Sequence, residues 1–133
     1  MSHTCSKKVR GFHCDAYGHV NNARYLEFLE EARWTAFEED KVVEAFDAIG
    51  LQFFVVNITI RFKSPVLPET TIDITTSLGE TKRKTISFIQ EIHVDGNLST
   101  SAEVTFVLFD KNTQRAVMIN ESHLAYFKNL SDA

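Results

Sequence analysis

The sequence predicts an α+β fold in which an antiparallel sheet of about five strands wraps around one long helix. An amphipathic helical pattern runs through residues 23–40 without a Gly or Pro. After Gly50, the spacing of apolar residues changes from three or four to strict alternation, which is typical of strands. The chain has 133 residues, enough for one domain and not two, so we expect a single domain over residues 1–133.

The first element is predicted as a strand over residues 5–14. It ends in the turn sequence of residues 15–22, where Gly18 and two consecutive Asn residues indicate a change of direction. Asn is a preferred helix N-cap residue, so either Asn21 or Asn22 can begin the helix that follows.

That helix spans residues 23–40 and has one apolar face, formed by Tyr25, Phe28, Leu29, Ala32 and Ala36. A weaker helical pattern over residues 41–49 is ended by Gly50. Only the longer helix has an apolar stripe large enough to fill a sheet. We therefore expect the sheet to wrap around it.

The remaining chain is predicted as strands and turns. Residues 57–63 alternate and are ended by Pro65 and Pro68, and a second strand over residues 72–78 leads to a turn around Gly79.

A third strand over residues 85–94 is followed by Asp95-Gly96, a strong hairpin signal. Residues 104–109 include apolar residues at both odd and even positions, which predicts a strand covered on both faces. A short strand or turn near residues 116–119 and a short C-terminal helix complete the chain.

The composition excludes several classes of function. The net charge is −4 and the pI is about 5.7, which argues against nucleic-acid binding through a basic surface. No apolar run approaches the ~20 residues of a membrane span, and two cysteines do not indicate a disulfide framework. No secretion signal is evident, so we expect a cytoplasmic protein.

Residues 15–25 are the one segment where a carboxylate, turn residues and a helix start coincide. The free N–H groups of a helix start can hold an oxyanion, and a carboxylate at Asp15 facing them would suit acyl transfer. The pattern alone favours a structural interpretation, in which Asp15 caps the turn and Asn21 caps the helix.

Two other chemistries are weaker. His13, Cys14, Asp15 and His19 could suggest a metal site or a Cys nucleophile, but neighbouring residues of a strand point to opposite faces. We therefore expect no metal. The basic triplet Lys82-Arg83-Lys84 is typical of a solvated strand end, and it could also hold phosphates.

Residues 15–34 read DAYGHVNNARYLEFLEEARW. This segment closely resembles the signature of hotdog-fold acyl-CoA thioesterases of the 4-hydroxybenzoyl-CoA thioesterase-like group. Residues 9–13 and 54–60 are similar to long-chain members of that family, and the resemblance covers residues 8–119. It implies a hotdog fold, with a sheet around one long helix, and a homodimer or homotetramer with active sites at the dimer interface.

The resemblance also implies roles for individual residues. Asp15 would be the catalytic carboxylate, acting as general base or as nucleophile, and the backbone N–H of Asn22 would polarise the thioester carbonyl. The substrate-binding residues would be Gly18, His19, Tyr25, Lys82, Arg83 and Lys84, the last three through the phosphates of coenzyme A, which could be reached from the neighbouring subunit. Phe28, Phe53 and Phe54 are candidates for lining an acyl tunnel.

The implied function is hydrolysis of fatty acyl-CoA, with long chains favoured, to free fatty acid and coenzyme A. No metal or redox cofactor is expected, because coenzyme A is part of the substrate. The alternatives are a thioesterase for aromatic or short-chain acyl-CoA or for acyl carrier protein thioesters, and a non-catalytic module that binds acyl-CoA. A hydratase-type hotdog enzyme requires a different motif that we do not find.

Overall fold

The computed structural model describes residues 2–131. Its strands are β1 (His3–Lys8), β2 (Leu51–Phe62), β3 (Thr71–Thr81), β4 (Ile86–Val94), β5 (Asn97–Asp110) and β6 (Arg115–Ala116). Its helices are α1 (Asn22–Glu39), α2 (Val42–Ala48) and α3 (Glu121–Ala125), with 3-10 turns at Gly11–His13 and Lys128–Leu130. The strands form one antiparallel sheet in the order β1-β3-β4-β5-β2, and β6 pairs with the end of β5. The predicted α+β architecture is confirmed.

Helix α1 lies within one residue of its predicted bounds. Asn21 is the N-cap, and its side-chain oxygen accepts a hydrogen bond of 3.0 Å from the amide of Ala23. The second helix is also confirmed and is followed by Gly50, whose φ of +78° is a conformation that favours glycine.

The core lies between α1 and the concave face of the sheet, and aromatic rings fill much of it. Phe37 on α1 lies 5.3 Å from the ring of Phe88 on β4 and 5.8 Å from that of Phe127. Phe46 on α2 lies 5.6 Å from Phe127. The chain has 11 Phe, of which these four lie in this cluster, and burying a Phe side chain stabilises a fold by about 1.5–3 kcal/mol.

Strand β2 begins earlier than predicted, at Leu51. A β-bulge interrupts the alternation of apolar residues, so the sequence pattern did not reveal the first half of the strand. The register shifts between Val55 and Asn57, so Phe53 faces the core before the bulge and Ile58 faces it afterwards. Alternation therefore reverses parity in the middle of the strand, and only the second half reads as a regular pattern. β2 is the last strand of the main sheet order and forms one of its edges.

The prediction for the first strand was wrong beyond Lys8. The chain leaves the sheet there, and the 3-10 turn Gly11–His13 follows. The turn is held locally, because Nδ1 of His13 accepts a hydrogen bond of 2.8 Å from the amide of Arg10. Cys14 then pairs with Val20 in an isolated antiparallel β-bridge through backbone hydrogen bonding.

The predicted turn around Gly79 was also wrong, since Gly79 lies inside β3. A side chain there would lie 3.1 Å from Cγ1 of Ile89 and from the carbonyl oxygen of Ser87, so close approach of β4 explains the glycine. The turn comes later, where the amide of Lys82 donates to the carbonyl of Thr85 over 2.9 Å. The basic triplet therefore forms the β3–β4 turn.

The last part of the predicted sheet, from the Asp95-Gly96 hairpin onward, is confirmed only in outline. Asp95 and Gly96 form the predicted hairpin, with φ of 50° and 80°. On β5, Val104 is fully buried whereas Phe109 on the opposite face is half-buried, so one face of this strand is covered less than predicted. Where a short strand or turn was predicted near residues 116–119, the structure has the two-residue strand Arg115–Ala116, and residues 117–120 lie outside any strand.

Candidate active site

The loop that carries Asp15 is held tightly at both ends. The amide of Asp15 donates to the carbonyl of His19 over 2.8 Å, and the amide of Gly18 donates back to the carbonyl of Asp15 over 3.0 Å. Gly18 has a φ of +78°, which closes this small loop without strain. Val20 then donates to the carbonyl of Val66 over 2.9 Å, which fixes the loop against the segment before β3.

The side chain of Asp15 is exposed, and it performs the structural role that the residue pattern favours. Its Oδ1 accepts a hydrogen bond of 2.9 Å from the amide of Tyr17. This bond uses one of the two carboxylate oxygens and fixes the orientation of the group. The other oxygen, Oδ2, has no hydrogen bond with residues 2–131. The turn cap and a catalytic role are therefore compatible.

The start of α1 leaves one backbone donor open beside this carboxylate. The amide of Asn21 donates to the carbonyl of His13, that of Ala23 to the side chain of Asn21, and that of Arg24 to the carbonyl of Asn21. Between them, the amide of Asn22 makes no hydrogen bond within the described residues. An open N–H at the start of an 18-residue helix attracts negative charge.

Tyr25 joins the first turn of α1 to the opposite wall of the site. Its hydroxyl accepts a hydrogen bond of 3.2 Å from the amide of Val66, and its ring meets that of Phe62 edge-on at 4.9 Å. Burial raises the pKa of the Tyr25 hydroxyl above its ordinary value of 10.0, so this group is a neutral hydrogen-bonding partner. Tyr25 therefore fixes the helix start relative to the end of β2.

Asp15 and Asn22 line one cleft of about 330 Å³. The other residues that line this cleft are His19, Val20, Tyr25, Phe62, Lys63, Ser64 and Pro65. Sequence reasoning placed Asp15, His19, Asn22 and Tyr25 near a common site, and the structure brings these four together. Gly18 is not part of the lining.

The wall formed by residues 62–65 was missed from the sequence. This segment is held by Ser99, whose carbonyl accepts from the amide of Lys63 over 2.8 Å and whose hydroxyl donates to the carbonyl of Ser64 over 2.8 Å. The only local signal was Pro65, which follows shortly after the end of β2 at Phe62. Lys63 has no ion pair with residues 2–131 and brings a positive charge to the cleft.

The basic turn of residues 82–85 does not reach this cleft within one chain. The cleft lies next to Val66, before β3 begins, whereas the turn follows the last residue of β3. Eleven residues of strand separate them by roughly 30 Å. Lys82, Arg83 and Lys84 are therefore at the opposite end of the sheet from Asp15.

A second cavity, also of about 330 Å³, lies between the second half of α1 and the first residues of β2. We call it the Arg33 cavity, and its lining includes Glu30, Arg33, Trp34, Phe37, Asp47, Phe53, Phe54 and Phe106. Phe53 and Phe54, two of the candidates for an acyl tunnel, lie here. Phe28 lies elsewhere, buried beneath the ring of His13 at 4.9 Å.

His13 packs next to the candidate site and helps to hold the loop before Asp15. Its ring is buried between Phe12 and Phe28, and burial, followed by the positive charge of Lys7, lowers its pKa below 6.5. The neutral form fits the structure, because Nδ1 accepts the hydrogen bond from Arg10.

Residues 2–131 lack both a clustered set of metal ligands and a helix that could span a membrane. No group of three or more His, Cys, Asp or Glu side chains among them is arranged to hold a metal ion. None of the helices in this range is both long enough and apolar enough to cross a bilayer.

Comparison with known proteins identifies the family. Residues 9–127 match the family model of the Thioesterase-like superfamily. The chain is 40% identical to the long-chain acyl-CoA thioesterase FadM of Escherichia coli strain K12 over 114 residues, which are 84% of this chain and 86% of that protein.

Solved structures agree. The crystal structure of YbaW, a probable thioesterase from Escherichia coli, matches with a TM-score of 0.90 and 36% identity, covering 96% of this chain and 97% of that one. Slr0204, a 1,4-dihydroxy-2-naphthoyl-CoA thioesterase from Synechocystis, matches with a TM-score of 0.82 over 98% of both chains, and at 14% identity it shows the fold alone.

A curled antiparallel sheet around one long helix, matched along nearly its whole length to thioesterases, defines a hotdog-fold thioester hydrolase. The chain belongs to the Thioesterase-like superfamily.

Proposed function

We propose that the protein hydrolyses fatty acyl-CoA, with long chains preferred, and that Asp15 and the backbone amide of Asn22 carry the reaction. The observation that supports this most strongly is that a carboxylate with one free oxygen and an unpaired helix N-terminal N–H line the same cleft. Long chains are favoured because the relative FadM is named a long-chain acyl-CoA thioesterase.

In the proposed mechanism, the thioester carbonyl oxygen accepts a hydrogen bond from the amide of Asn22. The partial positive charge of the helix start stabilises the negative charge that develops on this oxygen in the transition state. Asp15 acts on the opposite side of the carbonyl carbon.

Asp15 can act in two ways. As general base it accepts a proton from water, which attacks the carbonyl carbon and expels the thiolate of coenzyme A. As nucleophile it attacks the carbon directly and expels the same thiolate, and water then hydrolyses the mixed anhydride. In both routes water is consumed and a fatty acid and coenzyme A are released. No metal or redox group takes part.

We propose that Tyr25 positions the helix start through Val66, that His19 and Gly18 shape the loop, and that Lys63 contributes charge near the substrate. His19 orders the loop through its backbone carbonyl, which accepts from Asp15.

A homodimer would give the basic turn of residues 82–85 a role. β2 exposes apolar side chains along the sheet edge, including Phe54 at 46% and Val56 at 56%. An exposed, apolar edge strand is a template for pairing with a second copy. We therefore propose that two copies associate along β2 around a two-fold axis.

Such pairing is antiparallel, so the Leu51 end of one β2 lies beside the Phe62 end of the other. Ile86 pairs with Phe106 and Phe106 with Val55, which places the basic turn at the Leu51 end of its own sheet. The turn of the partner subunit then lies at the end of the sheet where this chain has its cleft. We propose that Lys82, Arg83 and Lys84 bind the phosphates of coenzyme A in the opposite subunit. A homotetramer formed by two such dimers would keep this arrangement.

Release of free coenzyme A from short-chain, aromatic and long-chain acyl-CoAs tests the proposed function. We expect the highest kcat/KM for long chains. Preference for aromatic or short chains would support the alternative substrates, and a parallel assay with acyl carrier protein thioesters separates the two carriers. Binding of acyl-CoA without any release of coenzyme A would instead identify a non-catalytic binding module.

A further inference from the structure

Arg33 is a buried cation without an ion pair among residues 2–131. Its side chain is only 6% exposed, and its one hydrogen bond is donated by a guanidinium nitrogen to Oε1 of Gln90 over 3.1 Å. The guanidinium also lies 5.8 Å from the centre of the Phe106 ring. Burial lowers the pKa of Arg33, and the negative charge of Glu30 partly offsets this effect.

The position of Arg33 is fixed by a fully buried polar network. Nε2 of Gln90 donates to the carbonyl of Leu29 over 3.0 Å and to the hydroxyl of Thr76 over 2.9 Å. Both amide hydrogens are thus occupied, and Oε1 can only accept the bond from Arg33. The network stabilises one orientation of the guanidinium and leaves its other N–H groups available.

Those remaining N–H groups open onto the Arg33 cavity. They have no partner among the described residues, and Arg33 lines the cavity, so these N–H groups are the hydrogen-bond donors that it can offer to an occupant. Glu30 lines the same cavity and has no ion pair within this range, whereas Asp47 is paired with Lys111 over 2.5 Å. The cavity therefore offers free donors from Arg33 and a free acceptor from Glu30, between apolar walls.

The Arg33 cavity lies on the same side of α1 as the candidate active site. Asn22, Leu26, Glu30, Arg33 and Phe37 follow the spacing of one helix face. β2 runs beside this face, since ring contacts join Tyr25 to Phe62 at one end and Phe37 to Phe53 at the other.

The helix sets the distance between the two sites. Arg33 lies about 16 Å along the helix axis from Asn22. An extended chain covers about 3.8 Å for every three bonds, so an acyl chain held at Asn22 reaches Arg33 about a dozen carbons from its thioester.

We infer that the Arg33 cavity binds the distal part of a fatty acyl chain that carries a hydroxyl group, which accepts a hydrogen bond from Arg33 and donates one to Glu30. This inference rests on the proposed acyl-CoA hydrolase function. A saturated chain would cover the guanidinium N–H groups without bonding to them, which is costly in a buried site. A chain ending in a carboxylate would pair with Arg33 but would be repelled by Glu30, whose own carboxylate would then have no donor. A hydroxyl, as both donor and acceptor, satisfies both residues.

Three long-chain acyl-CoAs of equal length test this: saturated, hydroxylated about a dozen carbons from the thioester, and ending in a carboxylate. We expect kcat/KM of the wild type to be roughly tenfold higher for the hydroxylated chain than for the saturated one. In Arg33→Met this ratio should fall towards one, whereas Arg115→Met, which removes an exposed arginine of β6, should leave the ratio unchanged.

Equal turnover of the saturated and hydroxylated chains by the wild type, or preference for the carboxylated chain, would overturn the inference and leave the hydrolase intact. This comparison does not depend on whether Arg33→Met folds. If no chain is hydrolysed, the proposed function fails, and calorimetric binding of the corresponding free fatty acids decides the inference by itself. Tighter binding of the hydroxylated acid supports the cavity assignment, and equal binding overturns it.

Discussion

The amide of Asn21 donates a hydrogen bond of 2.9 Å to the carbonyl oxygen of His13, and this bond ties the start of α1 to the loop that carries Asp15. It occupies the donor on one side of Asn22, while the Asn21 side chain occupies the amide of Ala23. The amide of Asn22 is consequently the one left for a substrate oxygen. The proposed active site is thus a product of helix capping as much as of the carboxylate.

Replacing Asp15 with Asn should lower kcat for long-chain acyl-CoA by at least about 10²-fold, because an amide neither accepts the proton nor attacks the carbonyl. The fold should be unaffected, since the side-chain oxygen of Asn can still accept from the amide of Tyr17. Release of coenzyme A measures the effect, and Asp95→Asn at the exposed β4–β5 hairpin is the matched control. Near-normal turnover in Asp15→Asn would exclude the carboxylate from the chemistry.

Replacing Tyr25 with Phe should lower the free energy of unfolding by about 1–3 kcal/mol, because the amide of Val66 then loses its acceptor in a buried place. Urea denaturation measures this change. Tyr17→Phe, at a largely exposed ring, should leave the stability unaltered. Equal stability of Tyr25→Phe and the wild type would show that the hydroxyl does not fix the helix start.

Stability should decline as the pH falls below 6.5, and His13 should contribute to the decline. Its folded pKa lies below the 6.5 expected in the unfolded chain, so protons bind the unfolded state first. The stabilisation is complete above 6.5 and is lost as the pH falls from 6.5 to the folded pKa. Protonation also converts Nδ1 from acceptor to donor, opposite the amide of Arg10.

Urea denaturation across this pH range tests the role of His13. His13→Gln, which retains a side-chain acceptor, should show a shallower dependence than the wild type. Part of the dependence should remain, because burial also lowers the pKa of His123. Identical slopes for variant and wild type would rule out His13 as a contributor.

Placing a charge on the exposed edge of the sheet should prevent the proposed dimer. We expect Val56→Lys to sediment as a monomer, whereas Leu67→Lys, an equally exposed apolar position outside β2, should sediment like the wild type. Analytical ultracentrifugation distinguishes these cases. A Val56→Lys protein that stays dimeric would place the interface elsewhere.

The sequence predicts those parts of the fold that depend on local pattern. Helix α1 was found nearly to the residue because it has no Gly or Pro and a continuous apolar face. The first half of β2 was missed because the bulge at Val55 and Asn57 breaks alternation. Gly79 was read as a turn because a single sequence does not show that Ile89 packs against its backbone.

Some residues of the candidate site could likewise be predicted from the local sequence, and others could not. Asp15 and Asn22 are neighbours in sequence, so turn and cap chemistry could predict them together. Lys63 and Ser64 reach the cleft only because Ser99, far along the chain, holds them. The bond between Arg33 and Gln90 joins residues 57 positions apart, and no local pattern could have predicted it.

Asn22→Pro is the decisive variant for the proposed role of the Asn22 backbone N–H in stabilising the oxyanion. Proline is favoured at the first position of a helix, and Asn21, with φ −65° and ψ 138°, already has the extended conformation that precedes proline. The substitution therefore removes this N–H while retaining the helix, and Asn22→Ala serves as the control that retains the N–H. If this N–H stabilises the oxyanion, kcat should fall about 10²–10³-fold in Asn22→Pro and stay near the wild-type value in Asn22→Ala. A folded Asn22→Pro protein with wild-type kcat would contradict it.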